Sequence, residues 1–266
     1  MILNDEMELV KKDKIEVLQF KRLTHLGVKN AFSLKGLDFM NREGIKEEYN
    51  ILLHMLEIDE KNLVKPLQRH TDNILIIKNK VKQETPDIQL DYLDGVDGLI
   101  TNKKNIAIAT TSADCLCVVL YDPEKKVIAN VHSGWRGTFQ KIVPKALVMM
   151  QEKFGTVPEK VLAFFMPAIR QCHFEVEEDV MQECKKIFAY TSQLHRIIKI
   201  GRILNNVQKY NIDNIYINQL LLEEKGVLRQ NMIDSGLCSV CHSEKIHSRR
   251  ADIEKYGLAT TIVMME

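Results

Sequence analysis

The chain has 266 residues, of which 45% are hydrophobic and 27% are charged, as is typical of a globular protein. Its 37 Lys and Arg residues nearly balance 36 Asp and Glu residues, and this formal charge of +1 argues against a dedicated nucleic-acid-binding protein. No stretch approaches the ~18 consecutive apolar residues of a membrane span, and the N-terminal residues lack the apolar segment of a signal peptide. We therefore expect a cytoplasmic protein that binds neither membranes nor nucleic acid.

Apolar periodicity predicts the secondary structure along most of the chain. Alternating or continuous apolar runs predict strands over residues 15–20, 29–32, 74–77, 98–101, 106–112, 116–121, 127–132, 161–166 and 259–264. Apolar residues spaced by three and four predict helices over residues 45–56, 139–154, 176–188 and 210–224. Asp122-Pro123 predicts a tight turn that makes residues 116–132 a hairpin. We expect a mixed α/β fold in a single domain over residues 1–266.

Three potential metal ligands lie at the ends of predicted strands. His70 comes shortly before the strand over 74–77, Cys115 stands just before the strand over 116–121, and His132 ends the strand over 127–132. Because a hairpin can return its two ends to the same edge of a sheet, Cys115 and His132 are expected to lie close together. Two imidazoles and one thiolate are typical of a catalytic zinc site whose fourth position is open to water or substrate.

The residues that follow His132 favour an anion. Gly134 and Gly137 lie where the strand passes into the next helix, and a helix N-terminus with its free N–H groups attracts negative charge. The guanidinium of Arg136 suits a phosphate or carboxylate. The sequence equally allows Trp135 to cap the core and Arg136 to form a surface ion pair. Asp114 is compatible with orienting a ligand, with accepting a proton, or with ending a strand as a turn residue.

Six cysteines in a chain without an export signal predict free thiols or ligands rather than disulfides. The run Cys238–His242 matches the C-x-x-C-H pattern of haem attachment, but the expected cytoplasmic compartment argues against haem. A structural zinc site needs a second ligand pair, and the chain has no second C-x-x-C motif. Cys172 and Cys184 are therefore expected to be small apolar residues, and His173 to be a surface or capping residue.

Together these motifs resemble the polyphenol oxidase family, the laccase-domain proteins described as purine nucleoside phosphorylases. The resemblance covers nearly the whole chain, and its most specific parts are the Ala-Asp-Cys and His-Ser-Gly-Trp-Arg-Gly runs. It rests on Gln68 with His70 and on residues 94–101, 112–115, 132–137, 167–169, 174–176 and 248–250.

The resemblance implies a layered α/β/β/α domain with one metal centre, occupied by zinc rather than copper and held by His70, Cys115 and His132. It also implies phosphorolysis of adenosine, inosine, guanosine and methylthioadenosine, with adenosine deamination in the same pocket. Purine nucleosides and phosphate are then the expected substrates. From this we expect Cys115, His132, Arg136 and Asp114 to be catalytic residues, with Asp114 or Glu175 protonating the base, and Lys35, Gln68 and Arg136 to be substrate contacts.

The chain departs from the family pattern in a loop near the N-terminus. Where the family has Ser-Thr-Arg-x-Gly-Gly, residues 32–37 read Phe-Ser-Leu-Lys-Gly-Leu. Lys35 can supply the positive charge there but not the bidentate fork of an arginine. The three expected metal ligands are unchanged.

Three other functions are compatible with the same residues. A cysteine hydrolase would use Cys115 as its nucleophile and His132 as its base, but it gives His70 no role. A non-catalytic nucleoside-binding protein is compatible with the altered loop. A copper oxidase is disfavoured, because its centres need more closely spaced imidazoles than eight scattered histidines provide.

Overall fold

The structure is a computed structural model, and it describes residues 1–40, 45–79 and 93–266. Its strands follow the chain in the order β1 (Met7–Lys12), β2 (Ile15–Phe20), β3 (Val28–Ser33), β4 (Leu63–Val64), β5 (Ile74–Ile76), β6 (Gly98–Thr101), β7 (Ala107–Ser112), β8 (Leu116–Asp122), β9 (Val127–Ser133), β10 (Leu162–Phe165), β11 (Glu175–Val176), β12 (Ile198–Leu204), β13 (Val207–Ile212), β14 (Met232–Asp234) and β15 (Ala259–Met265). The nine predicted strands correspond to β2, β3, β5 to β10 and β15.

The α-helices of the described residues are mostly short. They are α1 (Lys21–His25), α2 (Ile45–Met55), α3 (Trp135–Phe139), α4 (Ile142–Phe154), α5 (Glu178–Ile187), α6 (Leu194–Ile197), α7 (Asn214–Glu224) and α8 (Arg249–Asp252). Within the described ranges, none of these helices has the length and apolar character needed to cross a membrane.

Two large sheets and one small sheet organise these strands. The first sheet has the order β1-β2-β3-β15-β7-β4, and the second has the order β14-β10-β8-β9-β6-β5. The small sheet has the order β11-β13-β12. Most pairs are antiparallel, but β4 lies parallel to β7, β5 to β6 and β14 to β10.

The two large sheets pack face to face and are covered by helices on their outer faces. Phe20 of the first sheet meets Phe164 of the second with ring centroids 5.2 Å apart, inside the core that joins the sheets. Tyr49 of α2 belongs to the core on the outer face of the first sheet. Leu147 of α4 and Ile215 of α7 belong to the core on the outer face of the second sheet. The order helix, sheet, sheet, helix confirms the predicted α/β/β/α layering.

Strand β8 shows how the sequence builds these layers. Because side chains alternate across a strand, its odd positions from 117 to 121 face the first sheet, and its even positions from 116 to 120 face the helices. All seven of its residues are buried. Full burial of one Val or Leu side chain contributes about 1.5–3 kcal/mol to the stability of the fold. The buried hairpin therefore fixes the positions of the residues at its ends.

Asn130 of β9 is a polar residue in the otherwise apolar core between the sheets. It has no solvent exposure, and its Nδ2 donates to the carbonyl oxygens of Ile108 (3.1 Å) and Thr261 (2.9 Å), which lie on β7 and β15 of the first sheet. Its Oδ1 accepts from Thr110 Oγ1 at 2.8 Å. Since buried polar groups need partners, these bonds couple the second sheet to the first at one fixed position.

Three of the four predicted helices have wrong starting points. Helical structure after β9 begins at Trp135 instead of residue 139, and Lys141 in a left-handed conformation (φ 61°) separates α3 from α4. Residues 210–212 belong to β13, and α7 begins only at Asn214. Asp213 starts that helix, because its side chain accepts a hydrogen bond from the N–H of Tyr216 at 2.9 Å.

The helix predicted over 176–188 begins as strand β11, and α5 follows from Glu178. Strands β1, β12 and β13 are not predicted from sequence, because charged side chains interrupt their apolar residues. They lie at the edge of the first sheet or in the small sheet, where one face or more meets solvent.

Candidate metal centre and its pocket

His70, Cys115 and His132 come together at one end of the two sheets. Their ligand atoms all lie within 4.8 Å of one another, and Cys115 Sγ is 3.8 Å from His70 Nε2. The hairpin accounts for two of the three, since Leu116 pairs with Ser133 and Cys117 pairs with His132. His70 approaches from the loop before β5.

Gly134 leaves the space between these three side chains open. A Cβ at this position would lie 3.0 Å from Cys115 Sγ, 3.2 Å from His70 Cδ2 and 3.7 Å from His132 Cε1. The glycine backbone has φ −59° and ψ 170°, which any residue can adopt. The reason for glycine here is therefore space among the three donor groups.

Asp97 holds His132 from behind and is itself fully buried. His132 Nδ1 donates to Asp97 Oδ1 at 2.8 Å, and the backbone N–H groups of residues 69, 70 and 71 donate to the same carboxylate at 3.1, 3.0 and 2.9 Å. Burial raises the pKa of this carboxyl, but the hydrogen bonds from His132 and Thr71 outweigh burial and bring the pKa below its ordinary value. A carboxylate on Nδ1 leaves Nε2 of His132 available to a metal.

The sequence pattern assigns no role to Asp97, although it lies in the run 94–101 that resembles the family. The sequence shows only an Asp among apolar residues just before a predicted strand. An Asp in a turn has the same pattern, so this position alone does not identify a functional residue. Only the pairing of β6 with β9 brings it against His132.

Cys115 and His132 shift each other's protonation. Burial raises the pKa of the Cys115 thiol, but hydrogen bonding and charge from His132, and then from His70, outweigh burial and lower it to about 6. Burial lowers the pKa of the His132 imidazole, but its hydrogen bonds to the Asp97 carboxylate and the Cys115 sulfur outweigh burial and raise the pKa to about 10. At neutral pH the pair is therefore a thiolate and an imidazolium. A thiolate is the form of cysteine that binds metals and acts as a nucleophile.

His70 and Asp114 both have left-handed backbones, with φ 61° and 76°. Such conformations cost of order 1–3 kcal/mol for residues other than glycine, and they persist only where the surroundings fix them. The Asp97 carboxylate fixes the loop of His70. Asp114 is fixed by its own side chain, which accepts from Ser239 Oγ (2.6 Å), Ser248 Oγ (2.7 Å) and the backbone N–H of Arg250 (2.7 Å).

Both carboxylate oxygens of Asp114 are used in these hydrogen bonds. Its carboxylate is used to hold the segment before and within α8 against the residue next to Cys115. Its predicted catalytic role stays a prediction.

The trio opens into a cavity of about 600 Å³, within the range of about 300–1,000 Å³ usual for small-molecule sites. Aromatic and aliphatic side chains form much of its wall, and two arginines lie at its rim. The lining includes Gln68, His70, Thr111, Asp114, Cys115, His132, Trp135, Ile169, Phe174, Asn214, Arg249, Arg250, Ile253, Tyr256 and Leu258.

The three predicted substrate contacts have different positions. Gln68 lines the pocket, but its Nε2 donates to the carbonyl of Thr111 at 2.8 Å and its Oε1 accepts from the Thr111 N–H at 2.7 Å. Arg136 is exposed outside the lining, with its guanidinium 4.1 Å from the Trp135 ring centroid. Lys35 also lies outside the lining and pairs with Asp252 at 2.9 Å.

Two expectations about cysteine and histidine need correction. Cys172 is exposed and does not serve as an apolar core residue, whereas Cys184 is buried as expected. His173 lies beside Cys172, Cys238 and Cys241 in a second cluster of possible ligands, and is more than a surface or capping residue. The dipeptide Cys172-His173 thus brings a second pair of potential ligands to the C-x-x-C turn.

Comparison with known proteins gives concordant results. Residues 35–266 match the family described as multi-copper polyphenol oxidoreductase laccase. Adenosine deaminase RL5 from an unknown prokaryotic organism is 30% identical over 85% of both chains. A purine nucleoside phosphorylase of Clostridium acetobutylicum is 30% identical over 94% of this chain and 96% of that one.

The fold also has a close counterpart among solved structures. The hypothetical protein YfiH of Bacillus licheniformis superposes with a TM-score of 0.86 at 21% identity, covering 99% of this chain and 100% of that one. Residues 35–266, the range that the family model matches, include every residue of the candidate centre and its pocket. The chain belongs to the multi-copper polyphenol oxidoreductase laccase family.

Proposed function

We propose that the protein is a zinc-dependent purine nucleoside phosphorylase that also deaminates adenosine. The observation that carries this proposal is the placement of two imidazoles and one thiolate at the wall of a cavity of nucleoside size. Relatives with 30% identity that are named purine nucleoside phosphorylase and adenosine deaminase support it.

His70, Cys115 and His132 would hold the zinc ion. Three points favour the fit: the donor atoms converge, Gly134 leaves the space among them free, and Asp97 directs Nε2 of His132 toward it. Zinc bound by three protein ligands supplies Lewis acidity and lowers the pKa of a coordinated water to about 7. We propose zinc rather than copper, because phosphorolysis and deamination change no oxidation state and zinc is a Lewis acid without redox chemistry.

The apolar wall would bind the base and keep bulk water out. Trp135, Phe174 and Tyr256 line the cavity and offer aromatic faces to a purine. Stacking of a base on an aromatic side chain contributes about 1–3 kcal/mol and tolerates any purine. Such recognition would allow adenosine, inosine, guanosine and methylthioadenosine as substrates of one pocket.

The arginines at the rim would bind phosphate. Arg250 donates to the carbonyl oxygens of His173 (3.3 Å) and Glu175 (3.1 Å), so its guanidinium is used to hold the pocket wall. Arg249 lines the cavity without such a bond among the described residues, and we propose it as the main phosphate contact. Arg136, which stacks on the Trp135 ring, would be a second phosphate contact. Lys35 pairs with Asp252 of α8 and would contribute indirectly, by fixing the position of that helix.

An assay with purified full chain tests this function. Zinc-loaded protein is incubated with inosine or adenosine, with and without phosphate, and free base, ribose 1-phosphate and deaminated nucleoside are separated by chromatography. We expect base release to require phosphate and deamination not to require it. Cys115→Ser should abolish both activities, whereas Cys184→Ser, at a buried cysteine of α5, should keep both. Wild-type rates in Cys115→Ser would refute the proposal.

A cysteine hydrolase is a second possibility, favoured by the thiolate of Cys115 beside His132. His70 separates the two functions, because the zinc enzyme needs it as a ligand and the hydrolase does not. His70→Ala should abolish nucleoside turnover. If His70→Ala instead kept nucleoside turnover in the presence of a chelator, and alkylation of Cys115 then abolished that turnover, the hydrolase would be the correct assignment.

We also propose a cytoplasmic location. Within the described ranges, which include all six cysteines, none forms a disulfide, as is usual where the compartment keeps thiols reduced. The purine nucleosides and phosphate proposed as substrates are small solutes that need no membrane or nucleic-acid partner.

A further inference from the structure

A second cluster of metal-binding side chains lies outside the pocket. Cys172 and His173 stand in a turn after β10, Cys238 forms an isolated bridge with Ala168 after β14, and Cys241 stands in the turn that follows. Their sulfur atoms and the Nδ1 of His173 all lie within 4.8 Å of one another. Four such donors at one point have no role in the proposed reaction.

The distances fit one tetrahedral ion. With Zn–S bonds of about 2.3 Å and a Zn–N bond of about 2.0–2.1 Å, two sulfur ligands lie about 3.8 Å apart and a sulfur and a nitrogen about 3.6 Å apart. Here Cys172 Sγ and Cys241 Sγ are 3.9 Å apart. His173 Nδ1 lies 3.2, 3.7 and 3.4 Å from the sulfur atoms of Cys172, Cys238 and Cys241.

We propose that Cys172, His173, Cys238 and Cys241 bind a second metal ion, a structural Zn²⁺ in a Cys₃His site. Four protein ligands close the coordination sphere, as in structural zinc sites, whereas the three ligands of the pocket leave one position open. Binding requires only that the thiols release their protons, so no oxidant or reductant takes part.

The surroundings of Cys238 support a bound thiolate. Backbone N–H groups, those of Cys241 and Val240 among them, hydrogen-bond to its sulfur. Backbone N–H groups directed at the first sulfur of a C-x-x-C turn stabilise negative charge there whether or not it later binds a metal.

A disulfide is the main alternative use of these cysteines. The sulfur atoms of Cys172 and Cys241 are 3.9 Å apart, almost twice the bond length of about 2.05 Å. A disulfide would also leave His173 and the third cysteine without a reason to converge. The four-ligand site accounts for all of them.

The ion would fasten together two segments that form the pocket wall. Phe174, which lines the pocket, follows His173 directly. Ser239 lies between the paired cysteines and donates to Asp114, and the guanidinium of Arg250 donates to the carbonyl of His173. Loss of the ion should therefore loosen the wall of the pocket while leaving the three pocket ligands in place.

Metal analysis of the full chain tests the proposal. The protein is produced with added zinc, purified in the presence of a phosphine reductant and desalted. The number of zinc ions per chain is then measured by elemental mass spectrometry. We expect two zinc ions per chain in the wild type and in the matched control Cys184→Ser, and one in Cys241→Ser and in Cys115→Ser. The double variant Cys115→Ser/Cys241→Ser should hold none.

Two measurements on proteins that keep the site make the test independent of the folding of Cys241→Ser. In Cys115→Ser, a chelator should still lower the midpoint of thermal unfolding, because the second ion remains to be removed. In the wild type, the exposed thiols of Cys172 and Cys241 should resist a thiol reagent until a chelator is added.

The results that would overturn the proposal are equally definite. Immediate reaction of Cys172 and Cys241 in zinc-loaded wild type, with one zinc per chain, would show that they are free thiols. A disulfide-linked peptide containing Cys172 and Cys241, with a mass two hydrogens lower, would show a disulfide instead. Unchanged zinc content in a folded Cys241→Ser would also contradict the site.

Discussion

Asp97→Asn tests whether the buried carboxylate behind His132 sets the metal affinity of the centre. The substitution keeps the size of the side chain and removes its charge. All five groups that face the carboxylate are donors: His132 Nδ1 and the N–H of His70 on Oδ1, and the N–H of Arg69 with the N–H and hydroxyl of Thr71 on Oδ2. An amide NH₂ in place of either oxygen therefore opposes at least two donors.

These contacts give the expected magnitudes. Two buried donors left without acceptors at about 1–3 kcal/mol each predict a loss of about 3 kcal/mol in the free energy of unfolding of the metal-free protein. His132 can recover one bond only by accepting at Nδ1, and its remaining proton then occupies Nε2, the nitrogen needed for the metal. Loss of a carboxylate partner of a ligand histidine typically lowers metal affinity about 10–100-fold, and we expect the same here.

Zinc affinity is measured by competition with a coloured chelator, and stability by urea unfolding of the metal-free protein. Asp94→Asn is the matched control, because Asp94 lies on the same loop and pairs with Arg69 at 2.9 Å, but is half exposed. A surface pair of this kind contributes at most about 1 kcal/mol, so the control should keep wild-type affinity. A zinc affinity within threefold of wild type in a folded Asp97→Asn protein would refute the reasoning.

Three further predictions concern the same site. Gly134→Ala places a methyl group 3.0 Å from Cys115 Sγ, so zinc affinity should fall at least about tenfold while the unfolding midpoint of the metal-free protein changes little; unchanged affinity would contradict this. In metal-free protein, the alkylation rate of Cys115 should rise with pH and level off above about pH 7, because the thiolate forms around its pKa of about 6. Peptide mass spectrometry resolves that residue, and a midpoint near the ordinary thiol pKa would count against the His132 pairing. Arg249→Gln should raise the KM for phosphate about tenfold, with a smaller increase in Arg136→Gln, and a larger effect of the Arg136 change would reverse the assignment of the main phosphate contact.

The central part of the fold could be predicted from the sequence because its elements are local and apolar. Strands β8 and β9 are continuous apolar runs joined by a Pro-containing turn, and this hairpin is enough to bring Cys115 near His132. His70 joins them through a short loop before a recognisable strand. The site therefore depends on short-range patterns, which a sequence displays directly.

The remaining features depend on contacts between distant segments. Cys172 and Cys241 are 69 positions apart, so neither spacing rule nor periodicity links the dipeptide to the C-x-x-C turn. Asp97 acquires its partner only when β6 pairs with β9. The boundary at Asp213 is invisible to periodicity, because the apolar residues of β13 fall in phase with those of α7.

Asn130 ties strand β9, which carries His132 two residues further along, to the first sheet within the buried core. A slip of one sheet past the other by a single residue would move its amide away from the carbonyls of Ile108 and Thr261 and leave all of them unpaired. Strand β9, which carries His132, and strand β7, whose residue Thr111 bonds to Gln68, are therefore held in one alignment by contacts inside the core. Helix α8 takes no part in the contacts of Asn130 and is positioned through the hydrogen bonds of Ser248 and Arg250 to Asp114, so separate contacts set the alignment of the sheets and the position of the pocket wall.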